Sequence, residues 1–156
     1  MIELNIPGRG LLRLEHLVCD LNGTLAVDGQ LLGGIPRLLK TLSDRLTIHI
    51  LTANTRKNLA TVELQLGLSI QTIPRGQETQ SKGTYVHQLG AKTVIAIGQG
   101  ANDAAMLQEA AIGICVLSKE GTSVLALQAA DLFVPDIYTA FELIEKPLRL
   151  VASLRQ

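Results

Sequence analysis

Four groups of polar residues, each set just after an apolar run or near a helix start, could do chemistry together. They are Asp20-Leu21-Asn22-Gly23-Thr24-Leu25, Thr52 with Ala53, Lys82, and Gly98-Gln99-Gly100-Ala101-Asn102-Asp103. Asp20 follows Leu17-Val18-Cys19, which reads as the end of a buried parallel strand. A carboxylate at the tip of such a strand, followed at once by a glycine turn, sits where open α/β sheets bind ligands. From there it can attack a phosphoryl group, because carboxylate nucleophiles split one difficult transfer into two easier ones. The Thr52 hydroxyl and the amides after it stand at a strand-to-helix junction, where a helix N-terminus can bind phosphate. Lys82 would be a point charge aimed at phosphate oxygens. Each residue also has an ordinary role. Asp, Asn and Gly are common in turns, Thr52, Asn54 or Thr55 could cap a helix, Lys82 could be a solvated lysine, and Asn102-Asp103 could cap the helix of Met106 and Leu107. Their joint order is what those roles leave unexplained.

The pattern of apolar residues supplies elements to hold these groups. Ile2, Leu4 and Ile6 alternate with Glu3 and Asn5, and Pro7-Gly8-Arg9-Gly10 is a turn, so residues 1–14 read as an edge hairpin ahead of a core over 15–156. Glu15 to Cys19 is the strand that ends in Asp20. Val27-Asp28-Gly29-Gln30 is a hairpin turn, since Asp-Gly tolerates positive φ. A helix then carries Leu38, Leu39 and Leu42 on one face, with Pro36 in its first turn. Arg45 to Leu51 is a strand, Arg56 to Gln65 a helix stopped at Gly67, Leu68 to Ile73 a strand, and Thr79 to Leu89 a helix stopped at Gly90. Thr93 to Ile97 is the strand that delivers the Gln99 loop. Asp103–Ala110, Glu120–Ala129 and Tyr138–Leu154 are helical, the last broken at Pro147, with strands at Ile112–Leu117 and Leu132–Val134. Strands alternating with helices through short loops predict one α/β domain, a three-layer doubly wound, Rossmann-like parallel sheet.

Composition limits the function classes. The 156 residues are 47% hydrophobic and 18% charged, against roughly 25% charged in an average soluble protein. That shortage suggests that another subunit covers some apolar surface. Net charge is zero and aromatics are 3%, which speaks against nucleic acid and anionic membranes as partners. No apolar stretch is long enough to cross a bilayer, and Met1-Ile2-Glu3-Leu4-Asn5 does not open a signal peptide, so a cytoplasmic protein is expected. Cys19 and Cys115 sit in apolar runs and read as buried free thiols. His16, His49 and His87 have no metal-like spacing.

Taken as a set, these motifs resemble the haloacid dehalogenase (HAD) superfamily of phosphotransferases, and within it the soluble relatives of P-type ATPase phosphorylation domains. Asp20-Leu21-Asn22-Gly23-Thr24 is similar to the DxDGT or DKTGT pattern, Leu51-Thr52 to the second motif, Lys82 to the third, and Gly98 to Asp103 to the fourth, usually GDGxND. The resemblance runs from about Val18 through Val134. It implies a sheet in the order 5-4-1-2-3 with the site at its C-terminal edge, Asp20 as nucleophile, and Thr52, Ala53 and Lys82 around the phosphoryl group. It also implies Mg²⁺ held by Asp20, the backbone carbonyl of Asn22 and an acidic group of the fourth motif, here Asp103. The segments from Asp20 to Thr52 and from Thr52 to Lys82 are too short for a cap domain, so the capless branch is implied.

Two departures shape the functional reading. Where family phosphatases place an acid–base aspartate, this chain has Asn22, whose amide cannot exchange a proton near neutral pH. P-type ATPases also lack that aspartate and have a long-lived aspartyl-phosphate. Where relatives place a metal-binding aspartate, this chain has Gln99, a neutral oxygen donor beside Asn102, which should weaken the site for a hard cation. The leading reading is a slow Mg²⁺-dependent phosphohydrolase acting on a small phosphorylated substrate. The alternative is a catalytically silent domain that binds a phosphorylated ligand or a partner protein. A phospho-accepting receiver domain would need an acidic cluster before Asp20 that Glu15 and His16 do not supply. A homo-oligomer is expected, with the flap around Val27-Asp28-Gly29 and the last helix, through Leu148, Val151 and Leu154, as contact surfaces.

Overall fold

The computed structural model describes residues 1–53 and 58–156. Alternation of Ile2, Leu4 and Ile6 with polar neighbours gives β1 (Ile2–Ile6), which pairs antiparallel with β2 (Gly10–Leu14). This hairpin is a sheet of its own and makes no ladder with the main sheet. Its apolar face, Ile2, Leu4, Ile6 and Leu14, packs into the main core instead.

The central sheet is built from β3 (His16–Asp20), β6 (Thr47–Thr52), β7 (Ile70–Thr72), β8 (Val94–Gly98), β9 (Ile112–Val116) and β10 (Leu132–Val134). Between β3 and β6 lies the flap hairpin, β4 (Ala26–Val27) and β5 (Gln30–Leu31), whose turn residues Asp28 and Gly29 both have positive φ. All pairings in the main sheet are parallel, and the order is β10-β9-β8-β3-β6-β7. This is the expected 5-4-1-2-3 order with Leu132–Val134 added at the outer edge. After β3 the chain winds to β6 and β7 on one side, then crosses back to β8 on the other. β3 and β8 therefore flank the switch point, where the crevice of an open α/β sheet forms.

Helices cover both faces because the strands are apolar on both. On one face Leu17, Cys19, Ile95, Ile97, Ile112 and Ile114 meet α1 (Ile35–Ser43), α2 (Leu59–Leu66), α6 (Ile137–Glu145) and α7 (Pro147–Leu154). On the other, Val18, Leu51, Ala96 and Cys115 meet α3 (Glu78–Gly90), α4 (Ala104–Glu109) and α5 (Val124–Ala129). Both cysteines are buried and free.

Boundaries differ from expectation where local chemistry overrides periodicity. The helix expected from Arg56 begins, among the described residues, at Leu59, and the capping positions Asn54 and Thr55 lie outside them. The helix expected from Glu120 starts at Val124, because Gly121 has φ +92° and Ser123 caps the turn by accepting the Leu125 N–H at 3.2 Å. Pro147 separates α6 from α7, and Lys146 before it leaves the helical region, with φ −112° and ψ 71°, since the proline ring disfavours helical backbone in the residue that precedes it. Leu154, expected on an oligomer surface, is buried in the chain's own core, whereas Leu148 is 83% exposed. His16 and His49 are tied together, Nδ1 to Nε2 at 3.1 Å, and the other His49 nitrogen meets the Tyr85 hydroxyl at 2.9 Å. Burial and His16 lower the His49 pKa. No described helix is long and apolar enough to cross a membrane.

Candidate active site

The C-terminal ends of β3, β6 and β8 put Asp20, Thr52 and Gly98 on one edge of the sheet. The register that aligns Asp20 with Leu51 and Cys19 with Ile97 sets them at similar heights. After Asp20 the chain turns tightly. The N–H groups of Leu25 and Ala26 bond to the Leu21 carbonyl at 3.0 and 2.9 Å, and the Gly23 N–H bonds to Ala26 O at 2.7 Å. Gly23 has φ +84° and faces the Gln99 side chain so closely that an added Cβ would lie 1.9 Å from its amide nitrogen. Gly98 has the same steric role beneath Asp103, whose carboxylate would be 2.7 Å from a Cβ there.

Lys82 organises the interior of the site. α3 crosses from β7 back to β8 and drives the Lys82 stem inward until its ammonium is fully buried. It donates to Asp20 Oδ1 at 2.5 Å and to Asp103 Oδ1 at 2.6 Å. The other Asp103 oxygen accepts the Gln99 and Gly100 N–H groups, each at 2.9 Å, while Asp20 Oδ2 accepts the Thr24 hydroxyl at 3.4 Å. Two buried carboxylates share one buried cation, which leaves a net charge of minus one. Burial and the Asp103 charge push the Asp20 carboxyl up to about 7 against the pull of Lys82. Burial would lower the Lys82 pKa, but Asp20 and Asp103 outweigh it and hold the ammonium above the usual lysine range.

The remaining sequence candidates line the mouth or lie just beneath it. A cleft of about 350 Å³ is bounded by Asp20, Asn22, Ala53, Arg75, Glu78, Gln99 and Asn102. Thr52, Lys82 and Asp103 are the buried layer below. The Asn22 amide donates to the Thr52 hydroxyl at 3.0 Å. The Gln99 amide donates to the Asn22 carbonyl at 3.2 Å. Arg75 and Glu78 were not among the sequence candidates. The available signal was a cation in the loop after a strand, three positions before Glu78, the first residue of α3.

The donor set suits a hard divalent cation in part. Among the described residues no cluster of three His, Cys, Asp or Glu side chains could hold a metal ion. Oxygen donors do converge, however: the Asp20 carboxylate, the Asn22 carbonyl and the Gln99 amide oxygen, once that amide turns. Magnesium-type sites commonly take one or two carboxylates and complete the shell with water and substrate phosphate. In the structure the Asn22 carbonyl is instead satisfied by Gln99.

No protein-family model matches the chain. An uncharacterized protein of Methanocaldococcus jannaschii is 41% identical over 64 residues, 41% of this chain and 69% of that protein. The phospholipid-transporting ATPase tat-1 of Caenorhabditis elegans is 31% identical over 88 residues, 56% of this chain, which spans only 8% of that protein. Among solved structures, one assigned to the HAD superfamily (subfamily III A) hydrolases, from Legionella pneumophila, aligns with TM-score 0.71 and 17% identity, covering 90% of this chain and 87% of that one. The cobalt-bound deoxy-D-mannose-octulosonate 8-phosphate phosphatase of Haemophilus influenzae aligns with TM-score 0.71 and 15% identity, covering 86% and 88%. The 3-deoxy-D-manno-octulosonate 8-phosphate phosphatase of Moraxella catarrhalis, in complex with magnesium, phosphate and KDO, aligns with TM-score 0.69 and 18% identity, covering 85% and 86%. The chain thus belongs to one family with the archaeal protein, and its fold is that of the haloacid dehalogenase (HAD) superfamily, with no cap domain among the described residues.

Proposed function

We propose that this chain is a phosphohydrolase in which Asp20 is the nucleophile and small phosphorylated molecules are the substrates. The observation that carries the reading is the fully buried Lys82 between Asp20 and Asp103. Two carboxylates and one ammonium taken out of water are a poor device for stability, since apolar residues of like volume do as well or better. Such clusters occur where chemistry needs them.

In the proposed reaction the Asp20 oxygen not held by Lys82 attacks phosphorus, and the bond from phosphorus to the leaving oxygen breaks. That oxygen takes its proton from solvent, because the Asn22 amide has none to give. Water then attacks the aspartyl-phosphate at phosphorus, the bond to Asp20 breaks, and inorganic phosphate leaves with the carboxylate restored. Thr52 and the Ala53 backbone orient the phosphoryl oxygens, and Lys82 offsets charge on them from below. A divalent cation, which we take to be Mg²⁺, would be held by Asp20 and the Asn22 carbonyl, with Asp103, whose oxygens are engaged by Lys82 and by the Gln99 and Gly100 N–H groups, acting through water; when bound it would screen the incoming phosphate from these carboxylates. Without general acid–base help, roughly 10²–10⁴-fold of rate is missing. Turnover is therefore slow.

One observation favours the second reading, a silent domain that binds a phosphorylated ligand or a partner. The polar groups at the mouth satisfy one another, Asn22 with Thr52 and Gln99 with Asn22. The test is hydrolysis of an aryl phosphate and a panel of metabolite phosphates with added Mg²⁺, with Asp20→Asn as control. Activity that disappears in the control supports the enzyme. Activity that persists there, or none in either protein, defeats it.

A further inference from the structure

Arg75 has no part in that mechanism, yet it lines the same cleft. It is exposed, and it is the one cationic side chain among the described lining residues. It makes no hydrogen bond or ion pair with a described residue. Its loop follows β7, and β7 is separated from β3 by β6 alone. Strands lie about 4.8 Å apart, so the Arg75 backbone is anchored on the order of 10 Å across the edge from Asp20. A phosphoryl group in line with Asp20 is held from beneath by Lys82. A guanidinium rooted two strands away addresses another part of the same molecule.

The neighbours of Arg75 say which part. Glu78 takes the backbone N–H groups of its own residue and of Gly76, which, with the charges of Lys82 and Arg75, hold its carboxyl below the usual range. The amino end of α3 is thus already occupied by an anion and is not a phosphate site. With Asp20 and Glu78 both carrying negative charge, a second dianion would be repelled from this wall. A single carboxylate matches the guanidinium fork and adds only one charge. Glu78 then faces hydroxyl or ammonium donors on the same molecule. Ala53 is the largest apolar side chain among the described lining residues, so the described walls offer no platform for a nucleobase or other ring to stack on.

We propose that Arg75 is a specificity-determining residue that pairs with a carboxylate of the substrate, and that the site takes small, ring-free phosphate monoesters bearing such a group. The proposal rests on the phosphohydrolase reading for its reaction but is tested by binding as well. The probes are 3-phosphoglycerate and glycerol 3-phosphate, which share a three-carbon chain and differ in a terminal carboxylate against a hydroxymethyl group. Calorimetric Kd values are measured with Asp20→Asn chain, and kcat/KM with the parent, each with and without Arg75→Ala and Arg75→Lys.

The expected result is about tenfold preference for the carboxylate-bearing probe, expressed in Kd and KM rather than kcat. The ratio should fall to near one in Arg75→Ala and to an intermediate value in Arg75→Lys, with unchanged melting curves. Equal binding of the two probes by the starting chain overturns the proposal. So does an Arg75→Ala chain that weakens both by one factor, and so does failure of both probes to bind. Selective binding that depends on Arg75, with no hydrolysis of either probe by the parent, overturns the phosphohydrolase reading and leaves this proposal standing.

Discussion

Asn22 is where the two readings of the site part. Its side chain lines the same cleft as Asp20 and donates to the Thr52 hydroxyl at 3.0 Å, so a carboxyl group placed there would start from a defined position. Asn22→Asp should raise turnover by about one to a few powers of ten, the usual share of general acid–base catalysis. Steady-state rates of the parent and variant on an aryl phosphate check this, and a variant that stays at the buffer rate with its fold intact favours the silent binder. Gln99 presents the other departure. Its amide nitrogen points at the Asn22 carbonyl, an oxygen that a cation would need, and contributes no charge. Gln99→Asp both frees that carbonyl and adds an anion, so calorimetric titration should show Mg²⁺ binding at least tenfold tighter than in the parent. Equal or weaker affinity would remove Gln99 from the metal shell.

α3 does more than cross from β7 to β8, because its one inward lysine stands between two buried carboxylates, one at the end of β3 and one in the turn after β8. Lys82→Met keeps much of the stem volume but strands Asp20 and Asp103 as unpaired carboxylates. Breaking a buried pair in this way costs about 3–5 kcal/mol, and urea unfolding should report a loss of that order. A loss below about 1 kcal/mol would mean that water reaches the cluster. Much of this arrangement was legible in the sequence. β3, β6 and β8 announced themselves as apolar runs ending in polar residues, and the motif order carried the sheet order and the meeting of Asp20, Thr52, Lys82 and Asp103. The depth of Lys82 was not legible, because a lysine one turn into a polar helix looks the same whether it points at solvent or at a carboxylate pair. Arg75 and Glu78 were missed because a loop's place in a cleft depends on which strands are neighbours. The late start of α5 was missed because Thr122 and Ser123 spend their hydroxyls on the loop, bonding Val116 O, the Ser118 N–H and the Leu125 N–H.

Stability of the molecule as a whole should carry the signature of the buried cluster. In the folded chain burial and Asp103 raise the Asp20 carboxyl to about 7, whereas an unfolded aspartate titrates near 4 (roughly 3.9). A raised carboxyl contributes stability that is fully present below the unfolded value and is lost as pH rises through the folded one. The contribution of Asp20 should therefore decline between about pH 4 and pH 7 and be gone above that window. His49 works in the opposite direction, since its lowered pKa favours the fold as pH rises, so the parent's profile alone mixes the two. The difference between parent and Asp20→Asn isolates the carboxyl. In metal-free buffer the variant should gain on the parent from pH 5 to pH 8, because Asn stays neutral at both while Asp20 becomes charged beside Asp103. Added Mg²⁺ should then narrow the gap at pH 8 by binding only the parent's folded state. Urea midpoints at the two pH values, with and without the cation, measure all four quantities. A gap that is constant with pH, or wider at pH 5, would mean that Lys82 alone keeps Asp20 ionised and that the cluster carries its charges without strain.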